Sequence, residues 1–159
     1  LIADKGVHVL LTAFAQLNMP ARLMIVGEGP EWERLRTQAA ALDIGDRVSF
    51  IGATTDVPHV LAVSDCLILP SRREGSPLVC VEAFASGIPV IASDIPGIRS
   101  VVIDGGNGLL VPAGDPAALA AAMNRLESVA LYSVLASSAY ASADPYSIER
   151  HIDALCTFA

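Results

Sequence analysis

Hydrophobic residues recur along this chain in short runs, and between those runs they recur at helical spacing. Gly6 to Leu17 places Val9, Leu10, Ala13, Phe14 and Leu17 on one face of a helix. Arg22 to Val26 reads as a buried strand, stopped by Gly27-Glu28-Gly29-Pro30. Pro30 suits the first turn of a helix, and Glu31 and Glu33 follow where negative charge favours the helix dipole. That helix is expected to run to about Leu42. Arg47 to Ile51 is a second strand, ended by Gly52, and a short helix follows that Thr55 or Asp56 could cap. Asp65 to Leu69 is a third strand, stopped by Pro70-Ser71. Ser76 is the expected cap of the next helix, with Pro77 in its first turn, and Gly87-Ile88-Pro89 breaks it after about Ser86. Val90-Ile91-Ala92 is a fourth strand, and a short helix begins near Gly97. Leu109-Leu110-Val111 follows the turn Asp104-Gly105-Gly106-Asn107-Gly108 as the last strand. Asp115 can cap an alanine-rich helix to about Leu126, and two more helices flank Asp144-Pro145.

Short apolar strands alternating with helices mean a parallel sheet covered on both faces. The expected class is therefore α/β, a Rossmann-like doubly wound parallel sheet with helices on both faces. Ligands of such sheets bind beyond the carboxyl ends of the strands. The loops after Val26, Ile51, Leu69, Ala92 and Val111 are thus the ones that matter.

The 159 residues suffice for one domain with a full core. Although 53% of them are hydrophobic, Ser64 and Asp65 split the apolar runs around them. No run approaches the ~18 residues of a membrane-spanning helix, and no signal-peptide pattern is visible. A chain opening on Leu1 is expected to be an excerpt of a longer protein. The net charge of −7 argues against a nucleic-acid surface, yet leaves room for one local phosphate site. Cys66, Cys80 and Cys156 lie in apolar runs with no Cys-x-x-Cys pair, as reduced core thiols of a cytoplasmic protein would. His8, His59 and His151 form no ligand spacing and no Asp-x-Asp pair exists, so neither metal nor cofactor is expected.

The chemistry is concentrated in Pro70-Ser71-Arg72-Arg73-Glu74-Gly75-Ser76-Pro77-Leu78-Val79-Cys80-Val81-Glu82-Ala83. Glu74 falls in the loop leaving a strand, and Glu82 about a turn and a half into the next helix. Leu78, Val79, Ala85 and Ser86 are the helical neighbours of Glu82, an apolar setting in which a carboxylate needs partners. Sugar hydroxyls would serve, since a carboxylate accepts from two adjacent ones. The free amides at the start of this helix form a natural phosphate site. Pro77 has no N–H, so the donors are Gly75, Ser76, Leu78 and Val79. A solvated Glu74 and a Glu82 paired with a buried Arg would fit the same spacing. Fold and spacing alone leave both readings open.

This segment resembles the paired-glutamate motif of the glycosyltransferase family 4 enzymes, a retaining group of GT-B fold. Matching pieces stand in order on both sides: Lys5-Gly6-Val7 with Leu10, Ala13 and Phe14; Gly27-Glu28-Gly29-Pro30; and Val48 to Gly52. Ala85 to Ser93 and Asp104 to Pro112 follow in register, so the resemblance covers about residues 4 to 126. It implies the C-terminal, donor-binding half of a two-domain enzyme. Residues 1–143 would be the nucleotide-sugar-binding domain and 144–159 its C-terminal helix, with the N-terminal acceptor domain and the first strand of the sheet outside this chain.

The resemblance also implies roles. Lys5 would meet the diphosphate and stabilise it as it leaves, and Glu74 would hold the transferred sugar. Glu82 would hold the ribose, and the amides of Gly75, Ser76, Leu78 and Val79 the sugar and phosphates. Gly27 and Gly29 would let backbone approach the donor, and the Thr54 backbone would lie near the base. Two departures stand out: the family's Arg ahead of the Lys would precede Leu1, and Ser100 stands where Glu is usual. The donor would be a nucleoside diphosphate sugar and the acceptor a glycan, lipid or small molecule. The location would be cytoplasmic, with contact to the inner membrane surface through the other domain. A nucleotide-sugar epimerase of GT-B fold and a non-catalytic nucleotide-binding module are the competing readings.

Overall fold

The computed structural model describes residues 1–143, so the helix expected after Asp144-Pro145 lies outside the described residues, as do His151 and Cys156. Twelve elements alternate as foreseen: α1 (Val7–Phe14), β1 (Leu23–Val26), α2 (Trp32–Ala41), β2 (Val48–Gly52), α3 (Val57–Ala62), β3 (Leu67–Leu69), α4 (Leu78–Ala85), β4 (Val90–Ser93), α5 (Pro96–Arg99), β5 (Gly108–Val111), α6 (Pro116–Arg125) and α7 (Val129–Ala143). Short 3-10 turns at Ala3–Lys5 and Gly45–Arg47 precede α1 and β2.

All strand pairing is parallel, but it falls into two sets rather than one continuous sheet: β1-β2, and β3-β4-β5. Leu23 stands opposite Val48 in the first; Val90 stands between Leu67 and Gly108 in the second. No described strand joins β1 to β3, which is why the ladder divides there.

The period-two alternation of strand side chains shows the double winding directly. Ile68, Ile91, Leu109 and Val111 point into one hydrophobic cluster with α1, α2 and α6. Leu67, Leu69, Val90, Ala92 and Leu110 point the opposite way, into a cluster built on Cys80, Ala83 and Phe84 of α4 and Ile98 of α5. Leu23, Ile25 and Val48 join the first cluster, so both strand sets share that core layer. β4 is buried along its whole length, as the middle strand of a sheet covered on both faces must be.

Local chemistry sets the helix starts. Asp115 accepts from the N–H groups of Ala117 and Ala118, and Asp56, rather than Thr55, caps α3 by accepting from His59. Ser76 does not cap α4. Pro77 (φ −80°, ψ 65°) sits in an inverse γ-turn, closed by the Leu78 N–H donating to the Ser76 carbonyl at 2.9 Å. That turn holds Pro77 at the cap position just outside the helix, one residue beyond Ser76, and no side chain caps the first-turn amides.

Burial also decides the thiols. The Cys80 thiol is pushed up to about 12 by burial and then by the charge of Glu74, and burial likewise pushes Cys66 up to about 12. Reactive thiolate is therefore scarce at ordinary pH. Iodoacetamide at pH 8 is expected to leave Cys66 and Cys80 unmodified in the native protein and to label both in urea, as peptide mass spectrometry would report.

Candidate functional site

Because the strands within each set run parallel, the loops at their carboxyl ends collect together. The first residues of the chain tie the two sets across that edge. Leu1 packs on Gly29 after β1, and its carbonyl accepts from the Glu31 N–H at 3.2 Å. Five residues on, Gly6 packs on Pro70 after β3. A Cβ on Gly6 would stand 2.0 Å from the Pro70 carbonyl oxygen, and its φ of +68° is left-handed, so glycine is required there twice over.

This close approach brings Lys5 to Glu74. The Lys5 ammonium donates to the Glu74 carboxylate at 2.8 Å, with the Lys5 side chain 44% exposed and that of Glu74 only 14%. The Ser71 hydroxyl, fully buried, stands 3.4 Å from the same carboxylate oxygen. Neighbouring contacts lock the two segments together. The Arg72 N–H donates to the Asp4 carbonyl at 2.8 Å, and the Arg73 guanidinium donates to the Asp4 carboxylate at 3.0 Å. From the other side, Gly97 of α5 lies against the backbone of Glu74, where a Cβ would come within 1.8 Å of the Glu74 carbonyl oxygen. Arg99 pairs with Asp94 across the base of α5, and its hydrogen bonds hold the Asp94 carboxyl below the usual range. Ser100 donates to the Gly97 carbonyl at 2.8 Å and stays on that turn.

Helix α4 carries the other half of the site. Of the expected amide donors, Leu78 is taken by the γ-turn, whereas the N–H groups of Gly75, Ser76 and Val79 have no partner among the described residues. The positive end of the helix dipole is thus presented with three free donors. Glu82 departs from expectation. Cys80, Ala83 and Phe84 take the buried face of α4, which leaves Glu82 exposed on the other face beside Leu78, itself 65% exposed. Glu82 makes no ion pair among the described residues, so it is neither buried nor matched to an arginine.

Beyond the ends of β1 and β2 lies an open cavity of ≈ 360 Å³, lined by Glu28, Gly29, Trp32, Phe50, Ile51 and Gly52. Trp32 and Phe50 meet edge to face in its wall, with ring centres 5.3 Å apart. Gly27 (φ +120°) turns the chain out of β1, and its N–H donates to the Gly52 carbonyl at 2.7 Å. Thr54 follows, half-buried, its hydroxyl accepting from the Asp56 N–H at 3.0 Å. Gly29 makes its close approach to Leu1 of the same chain. The structure therefore joins Lys5 to Glu74 in the loop that leads into α4, while Gly27 and Thr54 stand on the loops after β1 and β2 and Glu82 on the exposed flank of α4.

Among the described residues, no three His, Cys, Asp or Glu side chains are grouped as metal ligands would be. No described helix is long and apolar enough to cross a membrane. Burial, with Arg34 and Arg72 nearby, lowers the pKa of His8 and favours its neutral form.

The model of the family described as "Glycosyl transferases group 1" matches residues 1–139. The chain belongs to the group 1 glycosyl transferases. It is 42% identical over 125 residues to the phosphatidyl-myo-inositol mannosyltransferase of Mycobacterium leprae, a match that covers 75% of this chain and 33% of that protein. The structure of Anabaena HepE in complex with UDP-glucose superposes on all of this chain and 47% of its own, with a TM-score of 0.89 at 29% identity. The C-terminal domain of a group 1 family protein, LpcC of Francisella tularensis, shares the fold with a TM-score of 0.83 at 22% identity, over 93% of this chain and 83% of that one. The chain spans less than half the length of the curated relatives it matches. The α/β, Rossmann-like fold is thus one half of a GT-B fold.

Sequence reasoning missed Asp4, Arg73 and Ser71, which tie the Lys5 turn to the Glu74 loop. Their signal was weak, because a surface Asp and Arg far apart in sequence announce no contact until the fold joins them. It also missed Gly97, which was read only as the start of a helix.

Proposed function

We propose that this chain is the donor-binding half of a two-domain retaining glycosyltransferase that uses a nucleoside diphosphate sugar. The observation that carries the proposal is the meeting of Lys5 and Glu74 beside the free amides that open α4. Lys5 and the N–H groups of Gly75, Ser76 and Val79 take the diphosphate and the sugar, where cation and helix dipole offset the charge of the leaving group. Glu74 accepts from the hydroxyls of the transferred sugar, and Glu82, open on its helix face, accepts from the ribose. The base lies toward Thr54 and the cavity beside Trp32. HepE, solved with UDP-glucose, supports the class of donor. Transfer needs donor and acceptor held together, so the acceptor belongs to the other half of the enzyme and this half alone turns nothing over.

Calorimetry with UDP, GDP and ADP and their glucose conjugates tests the reading. One nucleotide and its conjugate are each expected to bind as tightly in EDTA as in magnesium. Glu82→Gln should weaken both by about 10- to 150-fold, the equivalent of hydrogen bonds to a charged acceptor. A domain that binds well but is indifferent to Glu82→Gln would show that the ribose is held elsewhere.

A further inference from the structure

Lys5 and Glu74 bond each other at 2.8 Å, although the donor site described above gives each a different partner. We infer that this ion pair is an exchange contact that favours the sugar conjugate over the bare nucleoside diphosphate and helps expel the diphosphate after transfer; the inference rests on the donor-site reading. With the sugar in place, its hydroxyls engage Glu74 and free the Lys5 ammonium for the diphosphate. Once the sugar has left, Glu74 has no hydroxyls to accept from. Its carboxylate then competes with the phosphate oxygens for the same ammonium, and its own charge opposes theirs.

The surrounding contacts suit an exchange made by side chains alone. The Asp4 carbonyl accepts from the Arg72 N–H at 2.8 Å, and the Asp4 carboxylate binds the Arg73 guanidinium. Gly6 on Pro70 and Gly97 on Glu74 fix backbone against backbone. None of these four contacts uses the Lys5 ammonium or the Glu74 carboxylate, so both groups can change partners while the segments that carry them stay together. Lys5 is 44% exposed and has room to swing, whereas Glu74 is held within the loop.

The test uses the full enzyme, titrated calorimetrically with UDP, GDP and ADP and with their glucose conjugates. Glu74→Gln is expected to weaken the preferred conjugate and to tighten the bare nucleotide by about threefold to fivefold, the scale of a partly exposed charge pair. Damage to the fold would weaken the nucleotide instead, so the sign separates the two. In a Lys5→Met background the same Glu74→Gln change should no longer tighten it. Stopped-flow release of the nucleotide should be correspondingly slower in Glu74→Gln. A weakened conjugate with an unchanged nucleotide would keep Glu74 as the sugar's partner and overturn the exchange. Equal tightening with and without Lys5 would also overturn it, as simple repulsion. A wild-type enzyme that binds none of the six probes would remove the donor reading, and the exchange with it.

Discussion

Replacing Gly6 by alanine is expected to destabilise the domain by about 2–5 kcal/mol, a large share of the ~5–15 kcal/mol that holds a typical domain together. Two effects add. The left-handed backbone at φ +68° costs an alanine about 1–2 kcal/mol. The new methyl group would also stand 2.0 Å from the Pro70 carbonyl oxygen and 2.9 Å from its carbon, and forcing extra volume into packed structure costs about 1–3 kcal/mol. Backbone cannot swing aside as the end of a flexible side chain can. Gly105 separates the two effects, for it has nearly the same φ of +71° but no atom within 4 Å of its would-be Cβ. Gly105→Ala should therefore lose only the backbone part. Urea midpoints of both variants give the comparison. Equal losses would mean that the Lys5 turn does not rest tightly on Pro70. A larger loss for Gly6→Ala should come with weaker donor binding, because the same contact sets the distance from Lys5 to Glu74.

The alternation of strands and helices was legible because each strand is a short apolar run with a Gly or Pro stop close behind it. The two faces of the sheet were legible for the same reason, and Ile91 between Val90 and Ala92 now divides them as period two requires. What the sequence did not carry was anything decided by distant segments. Ser76 had the right side chain for a cap, but the γ-turn through Pro77 places it too early. Glu82 sat among apolar neighbours in sequence, and those neighbours prove to be the exposed flank of α4 rather than its core. The ends of the candidate site, Lys5 and Glu74, were legible only through their motifs. Their contact depends on a glycine at position 6 that lets two backbones touch, which no local pattern announces.

The largest effect on turnover is expected at Lys5. In the enzyme with both halves present, Lys5→Gln should lower kcat by about 10²–10³-fold, the loss typical of removing one charge-stabilising donor from a reacting group. The reason is that negative charge accumulates on the diphosphate as its bond to the sugar breaks, and a cation near it is worth more then than in the ground state. Donor affinity should fall less than kcat, since the free amides of Gly75, Ser76 and Val79 still hold the phosphates. Lys5→Arg keeps the charge but replaces a compact ammonium with a planar fork, so it should recover only part of the rate. The fold offers no reason for Lys5→Gln to be destabilising beyond the loss of a partly exposed ion pair, worth about 1 kcal/mol or less. Thermal midpoints should accordingly stay close to wild type while turnover collapses. Steady-state kinetics and donor titration on the three proteins decide the matter. If kcat held within threefold while donor affinity dropped, Lys5 would be a binding residue, and the stabilisation of the leaving diphosphate would have to come from the helix amides alone.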